Sequence, residues 1–160
     1  MRSTVHRIVA ATLVVAGAAT GLALSATAAG ATPAQVAKSA PYAKPGPYAA
    51  GVTTLSLDDR KVEVWYPAEK SAVKGKARDT YYIRDWLPPA IDAILPAEAN
   101  PPFVTDAWRG LPAADGRFPL VLFAHGFSGF RDQSTVLTTH LASWGFVVAA
   151  PDYLERGLAA

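Results

Sequence analysis

The segment Pro119 to Gly129, PLVLFAHGFSG, constrains this chain more than any other. It is a short Val/Leu/Phe run that ends abruptly in His-Gly-x-x-Gly. A continuous apolar run, rather than an alternating one, predicts a strand over Phe118–Ala124 buried on both faces. Gly126 and Gly129 let the chain turn sharply as it leaves the sheet. A turn without bulky side chains leaves backbone N–H groups uncovered, and such amides at a strand end can stabilise a developing oxyanion. The Phe127 N–H is the candidate donor. Gly126 permits close approach to it, and the Phe127 ring is a candidate pocket wall. The plainer alternative is an ordinary βα turn with a buried Phe. His125 is read as a support for the turn, its ring bonding the loop backbone. No second ligand stands at a metal spacing from it, so no metal site is expected.

The flanking residues predict a crossover. Asp132–Trp144 reads as a helix with Val136, Leu137, Leu141 and Trp144 on one face, capped by Asp132 or Ser134 and ended by Gly145. Phe146–Ala150 reads as a second buried strand, closed by Pro151. Strand, helix and strand at this spacing predict a parallel βαβ unit. Upstream, Val52–Leu57 and Lys61–Tyr66 alternate apolar and polar residues around Asp58-Asp59-Arg60, predicting an antiparallel hairpin at the edge of a larger sheet. Lys70–Asp79 is a polar loop whose Lys70, Lys74, Lys76 and Arg78 read as solvated. Tyr81–Leu95 has helix-like apolar spacing broken by Pro88 and Pro89. Pro96–Phe118 is a proline-rich ordered loop bearing Phe103 and Trp108, either a flap over a site or aromatics packing the core. The fold class is α/β, a hairpin leading into a parallel βαβ sheet of which one edge expects more strands.

The N-terminus has a different character. Arg2, His6 and Arg7 precede the apolar stretch Ile8–Leu24, and small residues follow at Ala26-Thr27-Ala28. This is a secretory-signal pattern, with cleavage expected after Ala28 or Ala31 and an extracellular location; a membrane anchor is the alternative. Ala29–Pro47 reads as a flexible leader, and residues 48–160 as the domain. Without Arg2 and Arg7, basic and acidic residues balance at 13 each. That balance argues against nucleic-acid or anionic-membrane partners. The chain has no cysteine, so an exported domain would rely on its core alone.

The remaining candidates are weaker. Gly-x-Ser-x-Gly, the nucleophile elbow, occurs nowhere in the sequence. Ser128 lies one glycine out of phase and is read as a loop-bonding residue, and Ser134 as a helix cap. His140 reads as a helix surface or packing residue. Asp152, at a strand end, reads as a turn-capping or loop-orienting carboxylate rather than a catalytic acid. Glu155 and Arg156 read as a local ion pair.

These residues together resemble the α/β-hydrolase superfamily. The resemblance rests on the hairpin ending Val64-Trp65-Tyr66-Pro67, the run Phe118 to Gly126, and Leu141 to Asp152 followed by Glu155-Arg156-Gly157. Within the superfamily they look most like the dienelactone hydrolase, cutinase-like polyesterase and platelet-activating-factor acetylhydrolase groups. Relatives often carry His after the Asp, where this chain has Tyr153. The resemblance implies a secreted serine hydrolase acting on a small-molecule, lipid or polyester ester, without a cofactor. Phe127 would supply one oxyanion donor, supported by His125 and Gly126. The nucleophile, acid and catalytic histidine are absent from the matched part. The chain is therefore expected to be an N-terminal piece of such an enzyme, inactive alone, of marginal stability, and completed by further chain. The alternatives are a non-catalytic binding module using Trp86, Trp108 and Phe127, and a signal-anchored envelope protein. The hydrolase expectation needs two things of the structure: a Phe127 amide free of internal bonds, and a Phe118–Ala124 strand away from any solvated margin.

Overall fold

The computed structural model describes residues 40–158; the expected signal at 1–28 and the first part of the expected leader lie outside them. β1 (Ala49–Leu57) and β2 (Arg60–Ala68) form the antiparallel hairpin, with Val52 opposite Trp65 and Thr54 opposite Glu63. Asp58 in their turn takes a φ of 39°, a left-handed conformation that aspartate tolerates. β3 (Thr80–Tyr81) and β4 (Phe103–Val104) pair as a separate small ribbon. Between them lie a 3-10 turn, Ile83–Trp86, and the single turn α1 (Pro89–Asp92). The long helix suggested by Tyr81–Leu95 does not form, because Pro88 lacks the N–H needed to continue one.

β5 (Ala107–Arg109), β6 (Leu120–Leu122), α2 (Thr135–Ser143) and β7 (Val147–Pro151) complete the elements. The main sheet runs β5-β1-β2-β7-β6, with β6 and β7 parallel, so the βαβ crossover is present. The hairpin is not at the edge as its sequence suggested. β5, drawn from the proline-rich stretch, pairs parallel to β1 and takes that place.

One row of side chains crosses the sheet under α2: Val52, Trp65, Val148 and Val121, in register from β1 to β6. Val52, Trp65 and Val148 have no accessible surface, and Ala142 of α2 closes over them. α2 does this with an unexpected face. Val136 and Leu137 point outward, at 83% and 51% exposure, while Thr135, Thr138, Thr139, Ala142 and Ser143 are buried. Short side chains let the helix axis approach the sheet closely. Three of the buried hydroxyls stay satisfied on the helix itself: Thr139 Oγ1 donates to the Thr135 carbonyl at 2.6 Å, Thr138 Oγ1 to the same carbonyl at 3.3 Å and Ser143 Oγ to that of His140 at 2.7 Å. The expected side-chain cap at Ser134 is not made.

The strand expected over Phe118–Ala124 forms only at Leu120–Leu122 and lies at the sheet margin. It is buried on one face, not two. Val121 and Phe123 pack toward α2, whereas Leu120 and Leu122 are 62% and 74% exposed because nothing among the described residues covers the opposite face. The second requirement set by the sequence is therefore not met in this sheet. Among the described residues no helix is long and apolar enough to cross a membrane.

The leader expectation is also corrected over its last residues. Ala40–Pro47 docks on α2: Tyr42 meets Trp144 edge-on at 4.9 Å, Trp144 Nε1 donates to the Lys44 carbonyl, and the Gly46 N–H donates to Ser143 Oγ at 2.9 Å. A Cβ on Gly46 would fall inside the van der Waals shell of the Ser143 carbonyl. Gly46→Ala is expected to cost about 1–3 kcal/mol and to expose Ala40–Pro47 to protease. Gly126→Ala, whose Cβ would meet nothing within 4 Å, is expected to leave stability unchanged. Urea denaturation with limited proteolysis compares the two.

Candidate functional site

After β6 the chain descends through His125, which is 2% exposed. Its Nε2 accepts the Tyr153 N–H at 3.2 Å, and Nδ1 lies 3.0 Å from the Gly126 carbonyl oxygen. A ring that accepts at Nε2 and donates at Nδ1 is the neutral tautomer with its proton on Nδ1. Both nitrogens are occupied, so no lone pair is left for base chemistry or a metal. His125 ties the start of one loop to the start of the next.

The four residues Gly126–Gly129 close a turn through the Gly129 N–H, which donates to the Gly126 carbonyl at 3.1 Å. Ser128, third in the turn, has a φ of 55°. Positive φ at that position is the mark of a type II turn, and a non-glycine residue there carries strain. Such a turn leaves two inner amides to be satisfied. The Ser128 N–H donates to the Arg156 carbonyl at 2.8 Å. The Phe127 N–H has no partner among the described residues, and a Cβ on Gly126 beside it would point into open space. A Cβ on Gly129 would meet the amide oxygen at the far end of the flexible Gln133 side chain and lie 3.0 Å from the Gly126 carbonyl oxygen. The Phe127 ring, read from sequence as a pocket wall, instead stands 87% exposed.

Beside the turn is a cavity of about 180 Å³ lined by Trp86, His125, Gly129, Phe130, Tyr153 and Leu158. Trp86 packs on Phe130 at 4.7 Å between ring centres, and Tyr81 stacks on Phe103 at 5.3 Å. The 80–104 excursion thus closes one side of the site. Trp108 does not join it; it packs with Ala49, Ala68 and Leu111 and lines a separate cavity of about 510 Å³ that touches no residue of the turn. Trp86, Trp108 and Phe127 are not brought together as one binding surface.

Beneath the cavity lies a charged network that sequence reasoning missed. Glu63, 1% exposed, accepts from Thr54 Oγ1 at 2.8 Å, Arg109 Nη2 at 2.7 Å and Arg131 Nε at 3.2 Å. Arg109 Nε reaches buried Asp79 at 2.8 Å, and Arg131 Nη1 reaches Asp152 Oδ2 at 2.7 Å. Arg131 Nε also lies 3.6 Å from the buried Asp132 carboxylate, and its guanidinium sits 5.0 Å from the centre of the Trp86 ring. The available signal was phase: Glu63 shares a strand face with Trp65, so a charge was bound to point at the core. Asp152 has the loop-orienting contact its position suggested. Glu155 and Arg156 do not form an ion pair; Arg156 lies over the Tyr153 ring at 4.1 Å. His140 Nε2 meets the Tyr42 carbonyl at 2.8 Å. No metal-binding group of side chains exists among the described residues.

A family model described as platelet-activating factor acetylhydrolase, isoform II, matches residues 55–160. Platelet-activating factor acetylhydrolase of Cavia porcellus is 33% identical over 66 residues, which is 41% of this chain and 13% of that protein. The solved structure of a ferulic acid esterase from Streptomyces cinnamoneus aligns with 26% identity and a TM-score of 0.47, covering 74% of this chain and 36% of the other. The chain therefore spans only a minor part of the length of these relatives.

The network has more carboxylates than arginines, and one of them yields. Burial first, then the charge of Glu63, push Asp132 up to about 7, against the pull of Arg131. Its unfolded value is 3.8. Between those values the folded chain holds a proton that the unfolded chain has released, so stability falls as pH rises toward 7 and levels above it. Asp132→Asn is expected to remove this decline, which approaches about 1.4 kcal/mol per pH unit. The stability difference between variant and wild type, measured by denaturation at intervals from pH 5 to 8, should grow up to about pH 7 and then hold level.

Proposed function

Because this chain belongs to the platelet-activating factor acetylhydrolase, isoform II family, we propose that its Gly126–Gly129 turn is one half of the oxyanion hole of a secreted serine ester hydrolase. One observation carries the reading: of the two inner amides in the turn, Ser128 is bonded and Phe127 has no partner among the described residues. In the whole enzyme a serine Oγ attacks the ester carbonyl carbon while a histidine accepts the serine proton. The carbonyl oxygen takes up the negative charge, and the Phe127 N–H donates to it together with the amide that follows the serine. The open space beside Gly126 admits that oxygen. The marginal position of β6 does not support the reading, which rests on the family match and on the free amide.

By this reading the chain supplies stabilisation and not the nucleophile, so it does not turn over esters alone. With p-nitrophenyl acetate we expect neither turnover nor a burst, and no labelling by a serine-directed fluorophosphonate; a burst blocked by that reagent would contradict us. The donor is tested in a chimera in which residues 55–158, within the family match, replace the equivalent segment of the Cavia porcellus enzyme. Phe127→Pro removes the N–H and keeps the turn, since proline suits the second position of a type II turn. It is expected to lower kcat about 10²–10³-fold; an unchanged kcat would exclude Phe127 as the donor.

A further inference from the structure

The turn is stitched to a second loop. Residues 123–131 leave β6, residues 152–158 leave β7, and the two run side by side. His125 Nε2 accepts from the Tyr153 N–H, the Ser128 N–H donates to the Arg156 carbonyl, and the Leu158 N–H donates to the Gly129 carbonyl at 2.8 Å. Gly129 and Gly157 pair as a parallel bridge. These bonds hold the turn in the strained conformation at Ser128, and they act only while the two loops stay in register.

Arg131 stands where that register is decided. It closes the first loop, and its Nη1 binds Asp152, which opens the second, at 2.7 Å. Its Nε binds Glu63 on the central strand β2 at 3.2 Å, and the guanidinium plane meets Trp86 of the covering excursion. The side chain is 15% exposed, so water competes weakly for these contacts. A planar fork suits two carboxylates and an aromatic face at once, which a single ammonium does not.

We propose that Arg131 is a positioning residue: it clasps the two loops to each other and to the sheet, and so aims the Phe127 N–H outward. Its meaning for catalysis rests on the oxyanion reading above; the clasp itself does not. Amide hydrogen exchange on the 160-residue chain, read residue by residue by NMR, tests the clasp without any turnover. In Arg131→Met the Ser128 and Leu158 amides should exchange at least tenfold faster and the Phe127 amide resonance should shift. The Ala114 amide, bonded to Pro67 at the end of β2 opposite the one that meets Asp152, should keep its wild-type rate. Arg131→Lys should recover only part of the protection. Unchanged exchange at Ser128 and Leu158 in Arg131→Met overturns the proposal. If that variant loses protection everywhere, Asp152→Asn, which removes one arm of the clasp, decides by the same criterion: selective loss at Ser128 and Leu158 supports it and no change overturns it. In the chimera, Arg131→Met should lower kcat with KM unchanged. A failed Phe127→Pro test would leave the exchange result standing, so the two claims fail separately.

Discussion

The structure depends on a charge that has been taken out of water. Glu63 points from the middle of the sheet into the space between β2, the β5 edge and the loop after β6, with 1% of its surface exposed. An isolated carboxylate there would be prohibitively costly. Thr54, Arg109 and Arg131 donate to it from three separate segments. Breaking such a buried pair from one side generally costs about 3–5 kcal/mol. The network therefore enforces order more than it adds net stability: wherever Glu63 is buried, β5 and the post-β6 loop have to be present to meet it.

The same residue links the core to the turn. Toward one end of the α2-covered face the row is apolar, Val52 to Trp65 to Val148; one register step on it becomes Thr54, Glu63 and Ala150. The apolar end packs against a helix whose small buried side chains allow close approach. The polar end holds Arg131, and through it the two loops at the carboxyl ends of β6 and β7. Sites in open α/β sheets form at such strand ends because the backbone there is free of ladder bonds. In the turn after β6 one amide, Phe127, has no partner among the described residues.

Local patterns in the sequence were read well where they act locally. The alternation in β1 and β2, the Asp-Asp turn, the strand–helix–strand spacing and the glycine turn after His125 each depend on residues a few positions apart. The buried face of α2 was misread because hydrophobicity pointed to Val136 and Leu137. Closeness to the sheet selected Thr138, Ala142 and Ser143 instead. Strand β6 was misread because a continuous apolar run promises cover on both faces, and the described residues provide it on one. The docking of Ala40–Pro47 escaped notice because glycine and proline carry no periodicity; its cause is the shape of the Ser143–Trp144 corner.

By itself the sequence determined the hairpin, the crossover and the sharp turn at Gly126–Gly129. These follow from backbone sterics and from residue spacing within one or two elements. Only the tertiary structure decided which strand flanks the hairpin, which face of the helix is buried, that Glu63 meets Arg131, and that Ser128 rather than Phe127 bonds Arg156. Ion pairs and amide bonds are short-ranged, and many acids and bases along the chain are chemically equivalent partners. The order of strands in the sheet brings one particular set within reach, and that order is a property of the whole packed chain.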